Sequence, residues 1–414
     1  MQTGHSELYD VLIVGGGVVG STLACALASA DARLRVGVVE RLPPPPRPTG
    51  EQRLRVSAIS LGARAIFERI GVWARLQAGR VCPVERMHVW DAQGTGAIDF
   101  DSADIGESCL AYIVENDALT AALWERMCEW GDIEPHCPAA IESLEICDRH
   151  AAIVLPGGVR LRARVLVGAD GARSFVRACA GMGTTHRDYD QQAIVANVDS
   201  EVAHRNVAWQ RFLPTGPLAF LPLADGRYSI VWSVDGERAR ALLTLHDAYF
   251  LQALQEAFGD RLGRLSSISE RLAFPLHRLR AQRYTAARVA LVGDAAHIIH
   301  PLAGQGVNLG LLDAAALAEV LCVAAAARRD VGGTTVLRRY ERWRKGDTLA
   351  MLLFTDAMKR LFGSSWSVVA QLRNVGLDLT NAATPVKTLL MRRAAGLAGD
   401  LPRLARPGHG VHPH

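Results

Sequence analysis

The apolar run Val11-Leu12-Ile13-Val14 stops at Gly15-Gly16-Gly17, and from Val18 to Ala30 the apolar and small residues follow a helical spacing. A second apolar run, Leu34 to Val39, ends on the acid Glu40. Strand, glycine-rich turn, helix, strand and acid in this order predict a dinucleotide-binding unit. Gly15 permits the tight turn out of the strand, Gly17 leaves the backbone open to a pyrophosphate, and Gly20 lets the helix sit close to the sheet. The phosphates would rest on the helix N-terminus at Val18 and Val19, where free N–H groups and the helix dipole favour negative charge. Glu40 stands about 20 residues beyond the last glycine, where a carboxylate accepts from ribose hydroxyls. This unit does not separate NAD from FAD, and a glycine-rich turn without a ligand is the plain alternative.

The pattern then changes several times. Pro43-Pro44-Pro45-Pro46 with Pro48 predicts a stiff extended spacer. Helical spacing returns at Ala63 to Ile70, closed by Gly71, and at Ala118 to Trp130 with Leu119, Ala122, Leu123 and Met127 apolar. Alternating strand-like runs occupy Ile194–Val198, Ala208–Leu213, Ala219–Pro222 and Tyr228–Val234, with turns at Pro214-Thr215-Gly216 and Asp225-Gly226. A run of strands between nucleotide-binding segments predicts a separate sheet-based domain inside an α/β chain. After about Leu311 the sequence is helical and rich in Ala, Leu and Arg.

Composition narrows the function classes. The chain has 414 residues, 49% hydrophobic and 21% charged, which predicts a large globular protein of two or three packed units. A net charge of +4 gives no support to nucleic-acid binding. The eight cysteines form no C-x-x-C pair and no Cys/His ligand spacing, so reduced thiols are expected and no metal site. The longest small-apolar stretch, Ala314 to Ala327, contains Glu319 and is too short to span a bilayer. With no basic lead-in before Val11, a cytoplasmic protein is expected, with contact to the inner face of a membrane left open. The end 405–414, with His409, His412 and His414, reads as a disordered tail.

Two further segments share a chemistry with the first. Val167-Gly168-Ala169-Asp170-Gly171-Ala172-Arg173-Ser174 carries an Asp-Gly pair. Val292-Gly293-Asp294-Ala295-Ala296-His297 carries a Gly-Asp pair and runs into His300-Pro301-Leu302-Ala303-Gly304-Gln305-Gly306-Val307-Asn308. In order and spacing the three segments resemble the motifs of the class A FAD-dependent aromatic monooxygenases, the para-hydroxybenzoate hydroxylase-like group. Arg55-Val56-Ser57-Ala58-Ile59, Ile113-Val114-Glu115-Asn116, Gly216 through Leu223, Ser229 through Ser233 and His300 through Gly310 make the chain look like the ubiquinone-biosynthesis hydroxylases. Among those it is most similar to the 2-polyprenylphenol hydroxylases acting on ring carbon 5, although the enzymes acting at carbons 1 and 6 share these motifs.

The resemblance implies a Rossmann-like FAD-binding domain of the GR2 type, an inserted β-sheet substrate domain and a C-terminal helical region. FAD-binding segments would be 1–75, 105–183 and 288–345, substrate-domain segments 76–104 and 184–287, and the helical region 346–404. It also implies roles. Asp294 would accept from the ribityl chain of FAD, with Gly293 permitting close approach; a strand-end helix cap is the structural alternative. Gly304, Gln305, Gly306, Val307 and Asn308 would present N–H groups to the flavin's pyrimidine edge. Pro301 resembles the proline beside the reactive face of the ring. Asp170, Gly171 and Arg173 resemble the motif serving the pyrophosphate and the reductant, and Arg55 an arginine reaching the FAD phosphates. Arg41 and Asn116 join them as cofactor contacts.

The implied reaction uses NADPH or NADH, O2 and FAD to hydroxylate the ring of a polyprenylated phenol. The cofactor carries the chemistry, so the protein positions the ring, excludes water and assists phenol deprotonation. His297 and His300 are candidates for that proton transfer. Gln210, Phe212, Phe220 and Trp232 are candidates for the pocket wall, against the alternative of an aromatic sheet core. A bilayer would supply so insoluble a substrate. The apolar and basic region with Leu349–Phe354, Met358–Phe362, Trp366–Val369 and Leu389–Leu397 would lie on anionic lipid, on a quinone-synthesis complex, or against the FAD domain. A dehydrogenase leaves the second and third motifs without purpose, and a halogenase lacks its Trp-x-Trp-x-x-Pro pattern here. A reductase of prenyl chains on the same fold, and a flavin-binding subunit of a synthesis complex without catalysis, are the remaining alternatives.

Overall fold

The computed structural model describes residues 8–30, 32–76, 78–299, 306–362, 381 and 383–406. The chain opens with β1 (Leu8–Val14), α1 (Val18–Ala28) and β2 (Val36–Val39), the expected nucleotide-binding order. β3 (Val56–Ser60) and α2 (Leu61–Arg69) follow, then β4 (Val81–Val84), β5 (Arg86–Asp91) and β6 (Ala97–Asp101). β7 (Ala111–Glu115), α3 (Asn116–Cys128), β8 (Ile133–His136), β9 (Ser143–Ile146), β10 (Ala151–Leu155), β11 (Val159–Gly168) and α4 (Phe175–Cys179) come next.

The inserted layer holds β12 (Thr184–Ser200), β13 (Val207–Leu213), β14 (Gly216–Pro222) and β15 (Tyr228–Asp235). It continues with α5 (Gly236–Thr244), α6 (Asp247–Phe258), β16 (Leu265–Ile268) and β17 (Leu272–Ala281). β18 (Thr285–Ala286), β19 (Val289–Leu291), β20 (His297–Ile298), α7 (Gly306–Ala326), α8 (Thr334–Phe362) and α9 (Thr384–Ala394) complete the described elements.

Among the described residues the strands form three sheets. The first runs β18-β19-β11-β1-β2-β8, with β10 and β9 branching from β11. Its strands β19, β11, β1, β2 and β8 are parallel. Such a sheet needs cover on both faces, and the runs Val11–Val14, Val36–Val39 and Val165–Val167 at its centre are correspondingly free of polar side chains. Val11, Leu12 and Ile13 have no exposed surface, nor do Leu23 and Leu27 of α1 or Leu311 and Leu317 of α7. Fully burying one such side chain contributes ~1.5–3 kcal/mol.

The second sheet runs β20-β17-β12-β15-β14-β13-β5-β6, with β16 on β12. One face is covered by α5 and α6 through Trp232, Phe220, Phe250 and Phe258. The other faces the nucleotide-binding layer, which it meets where Ala208 and Leu223 pack on Cys82, Val84 and Ile113. β3, β7 and β4 make a small third sheet between them.

Several boundaries differ from the sequence reading for local reasons. α2 starts at Leu61 rather than Ala63 because Ser60 caps it, its hydroxyl accepting from the Ala63 N–H at 3.3 Å. β12 runs for 17 residues where only Ile194–Val198 alternates in hydrophobicity. Its polar first half is held by backbone pairing with β17, including Thr184 with Ala281 and His186 with Leu279. α7 begins at Gly306, eight residues before the apolar stretch was expected to matter, and by length and composition it matches a membrane-crossing helix. It is a core helix here: Asp313 lies fully buried on it, and it packs along α1.

Candidate active site

The three motifs, distant in sequence, leave the first sheet from the C-terminal ends of three adjacent parallel strands. Gly15 follows β1, Ala169 follows β11 and Val292 follows β19. Backbone bonds staple them side by side: Gly15 N–H to Val39 O at 2.8 Å, Ala169 N–H to Val14 O at 2.8 Å, and Val292 N–H to Gly168 O at 3.0 Å. This edge of a parallel sheet is where α/β folds bind ligands.

The glycines of the first motif have separate duties. Gly15 has φ +103°, and a Cβ on it would meet Ala169 O at 2.4 Å. A Cβ on Gly20 would lie 1.9 Å from Gly15 O, so α1 can approach the turn only without a side chain there. Gly17 differs, because a Cβ there meets nothing within 4 Å. α1 begins after it with no side-chain cap and no acid in its first turn, which leaves an open, electropositive cradle.

Glu40 turns toward that cradle from the end of β2. Its Oε2 accepts from Gly16 N–H at 2.7 Å and its Oε1 from Leu42 N–H at 3.0 Å. Each carboxylate oxygen has a second acceptor site for a hydroxyl. Trp124, which the sequence did not single out, donates from Nε1 to Gly16 O at 2.7 Å, and Ser21 Oγ donates to the same oxygen at 2.8 Å. Apolar spacing placed Trp124 on its helix without showing where its one polar atom would reach. Glu40→Ala should raise the FAD dissociation constant about tenfold or more, since a charge-assisted hydrogen bond contributes ~1.5–3 kcal/mol. Fluorescence titration of the apoprotein measures this, and wild-type affinity would reject the ribose assignment.

In the second motif Asp170 Oδ2 accepts from Val176 N–H at 3.1 Å, while its buried Oδ1 has no partner among the described residues. Gly171 takes φ +76°, and Arg173 is exposed with no ion pair among the described residues. Arg177, absent from the sequence reading, ties this loop to the third motif by donating to Ala172 O at 2.7 Å and Ala295 O at 2.9 Å.

In the third motif Gly293 takes φ +59° and, with Gly310, makes room for Val19; a Cβ on either would meet that side chain at 3.2 or 2.8 Å. Asp294 does not cap a helix: it is the middle residue of a short 3-10 turn, Gly293–Ala295, whose N-cap is Val292 and which has no side-chain cap. Its carboxylate opens onto the cleft, yet the surrounding protein is close enough to push its pKa up by desolvation, against a lowering by His297 and His277. A carboxylate so placed gains from a hydroxyl donor.

His297 is only 2% exposed. Its Nε2 bonds Asp313 Oδ2 at 2.6 Å, and Arg344 Nε donates to Asp313 Oδ1 at 2.9 Å. Burial pushes the Asp313 carboxyl up, but His297 and Arg344 outweigh it and hold it below the usual carboxylate range. A ring sealed in this way does not fit the proton-transfer role expected of His297. His300, Pro301, Gly304 and Gln305 lie outside the described residues.

Gly306, Val307 and Asn308 form the first turn of α7, where N–H groups lack partners within the helix. The Asn308 side chain is engaged elsewhere, accepting from Ser60 N–H at 3.0 Å and donating to Ala58 O at 2.8 Å, so it clamps β3 to α7. Arg55 is exposed, with its guanidinium 4.8 Å from the Phe274 ring centroid. Asn116 accepts from Ser57 Oγ at 2.6 Å, and its N–H donates to Arg55 O. Arg41 lies on a hollow of about 390 Å³ with His136, Cys137 and Leu155.

The four expected pocket residues divide between the faces of the second sheet. Phe220 and Trp232 are wholly buried beneath α5 and α6, in an aromatic core, and are corrected to a structural role. Gln210 and Phe212 alternate onto the opposite face. There a single register row joins Gln210 to Ala219, Ala219 to Val231 and Val231 to Val195. The last three are apolar and partly exposed, a smooth floor beside Phe274.

The residues fit FAD: the cradle at Gly17 is clear, Asp170 Oδ1 lacks a partner among the described residues, and Asp294 faces the cleft. Residues 8–353 match the model of the FAD binding domain family. The chain belongs to that family and is a class A flavoprotein monooxygenase related to the ubiquinone-biosynthesis hydroxylases. It is 39% identical to ubiquinone hydroxylase UbiL of Rhodospirillum rubrum, across 98% of this chain and 94% of that protein. It is 35% identical to the mitochondrial ubiquinone biosynthesis monooxygenase COQ6 of Danio rerio, across 95% of this chain and 91% of that one. Among solved structures it resembles PqsL of Pseudomonas aeruginosa, a probable FAD-dependent monooxygenase, with a TM-score of 0.74, 25% identity and coverage of 90% and 100%.

Proposed function

We propose that the protein hydroxylates the aromatic ring of a polyprenylated phenol in quinone synthesis, using NADPH or NADH and O2, with ring carbon 5 the favoured position. The observation that carries this reading is that the third FAD motif runs through β20 into the second sheet, which has an open face. Its row of Val195, Ala219 and Val231, bordered by Gln210, suits a flat ring with one polar substituent. The full-length likeness to a ubiquinone hydroxylase supports the substrate class.

Bound FAD supplies the hydride acceptance and oxygen activation that no side chain here provides. The chain's own residues do the rest. The α1 N-terminus at Gly17, Val18 and Val19 would hold the pyrophosphate, Glu40 the ribose and Asp294 the ribityl hydroxyls. The first turn of α7 offers N–H groups to negative charge on the ring system. The apolar row seats the substrate and excludes water. Arg173, exposed beside the Asp170 loop, would meet the anionic reductant.

A lipid source for the substrate agrees with the surface of the C-terminal helices. Leu349 and Leu353 of α8 and Val386, Leu389 and Leu390 of α9 are exposed, with Arg392 and Arg393 at the end of α9. Leu352, between the first two, packs on Ile299 and Leu309 beside the third motif. Residues 363–380 of this region lie outside the described residues.

The test is NAD(P)H-dependent oxygen uptake by FAD-loaded protein, with and without a short-chain prenylphenol. Stimulated oxidation with a product heavier by one oxygen is expected, and the position of that oxygen separates carbon 5 from carbons 1 and 6. Bound flavin with no stimulation and no product would replace this reading with a non-catalytic place in a synthesis complex.

A further inference from the structure

The third motif has a back as well as a front. Behind the cleft, Asp313 of α7 is fully buried, and its carboxylate holds both ends of the arc 293–297. Its Oδ2 accepts from Gly293 N–H at 3.2 Å at the start of the arc and bonds His297 Nε2 at 2.6 Å at its end. Asp294 lies between these anchors. Oδ1 of Asp313 accepts from Arg344 Nε at 2.9 Å, and Arg344 is 1% exposed on α8. The same guanidinium donates through Nη1 to Asp347 at 2.9 Å. One carboxylate therefore closes the arc as a loop, and a buried arginine balances its charge.

We propose that His297 and Asp313 are positioning residues for the cofactor. They fix the arc from behind so that Asp294 presents its carboxylate to the cleft. The inference rests on Asp294 being a ligand of FAD. His297 and Asp313 are 2% and 0% exposed, so any effect on the cofactor passes through the arc. The backbone of the arc has ties of its own, Arg177 Nη1 donating to Ala295 O at 2.9 Å and Ala281 N–H to Ala296 O at 2.8 Å, and the bonds to Asp313 add a hold at its two ends, where a 3-10 turn of three residues has little stability of its own. Pairing of β20 with β17, Arg280 opposite His297, holds the backbone at the end of the arc, and the His297 ring adds the tie to Asp313.

The test is the FAD dissociation constant of the full-length apoprotein, read by flavin fluorescence, in a double-mutant cycle of His297→Phe and Asp294→Ala. His297→Phe removes the hook while Arg344 still pairs Asp313. Each single change is expected to weaken FAD by about tenfold, roughly 1.4 kcal/mol. The double variant is expected to be no weaker than Asp294→Ala, because the hook acts only through that side chain. His297→Gln, whose amide places a donor at a similar reach, is expected to restore most of the affinity. A merely structural histidine would lower thermal stability with no such non-additivity. Multiplying effects in the double variant, or unchanged affinity in His297→Phe, would overturn the proposal while leaving Asp294 as a ligand. Unchanged affinity in Asp294→Ala would overturn the ligand reading and the proposal together. If His297→Phe does not fold, His297→Asn, whose amide falls short of the carboxylate, enters the same cycle with the same outcomes.

Discussion

Gly17→Leu should give a folded, colourless protein. The position has ordinary extended backbone, φ −71° and ψ −175°, and a Cβ there meets no atom within 4 Å. The side chain therefore costs the apoprotein little, but it fills the space over the α1 N-terminus where a pyrophosphate would sit. FAD retention should fall more than a hundredfold, about 3 kcal/mol, while the far-UV spectrum and thermal midpoint of the apoprotein stay near wild type. Gly20→Ala is the contrasting case, because its Cβ would overlap Gly15 O at 1.9 Å. That strain falls on backbone and damages the fold itself, with or without cofactor. Absorbance at flavin wavelengths after purification decides the matter, and a yellow Gly17→Leu protein would refute the placement of the pyrophosphate.

Arg344→Met should cost roughly 3–5 kcal/mol of stability, the usual penalty for leaving one member of a buried ion pair uncompensated. Arg344 and Asp313 are 1% and 0% exposed, so water cannot replace the lost partner. Chemical denaturation of the apoprotein measures the loss, and a change under 1 kcal/mol would mean that the pair is relaxed in solution. The pH dependence has a definite sign. Asp313 is held below its ordinary range in the folded state, so its contribution is present above the unfolded carboxylate pKa and is lost as pH falls through the lower folded value. Without Arg344, burial acts on the carboxyl with less opposition, and the acid-unfolding midpoint should move to higher pH.

Much of the cofactor cradle was legible in the sequence because local backbone chemistry writes it. Gly15, Gly17 and Gly20 have fixed spacing for reasons of turn geometry, and the acid at Glu40 follows from strand and helix length. Residues whose role depends on distant partners were not legible. Trp124 and Arg177 donate to backbone oxygens 108 and 118 positions away, and no local pattern announces such a bond. His297 looked like chemistry because it borders a motif. Its partner Asp313, and Arg344 which pairs with that carboxylate, come from two later helices, and only their meeting shows that the ring is sealed. Phe220 and Trp232 failed as pocket residues for a related reason: alternation separates the two faces of a strand without saying which one a helix will cover. α5 and α6, which cover that face, had not been recognised in the sequence.

The interleaving of the chain has a consequence for how the protein is made. β1 and β2 emerge from the ribosome before the rest of their sheet, but the neighbour of β1 on its other side is β11, and the neighbour of β11 is β19. α7 and Arg344, which lock the last motif, follow later still. A nascent chain therefore lacks a complete cradle until β19, α7 and α8 have been synthesised. No contiguous fragment ending before α8 retains the full set of contacts.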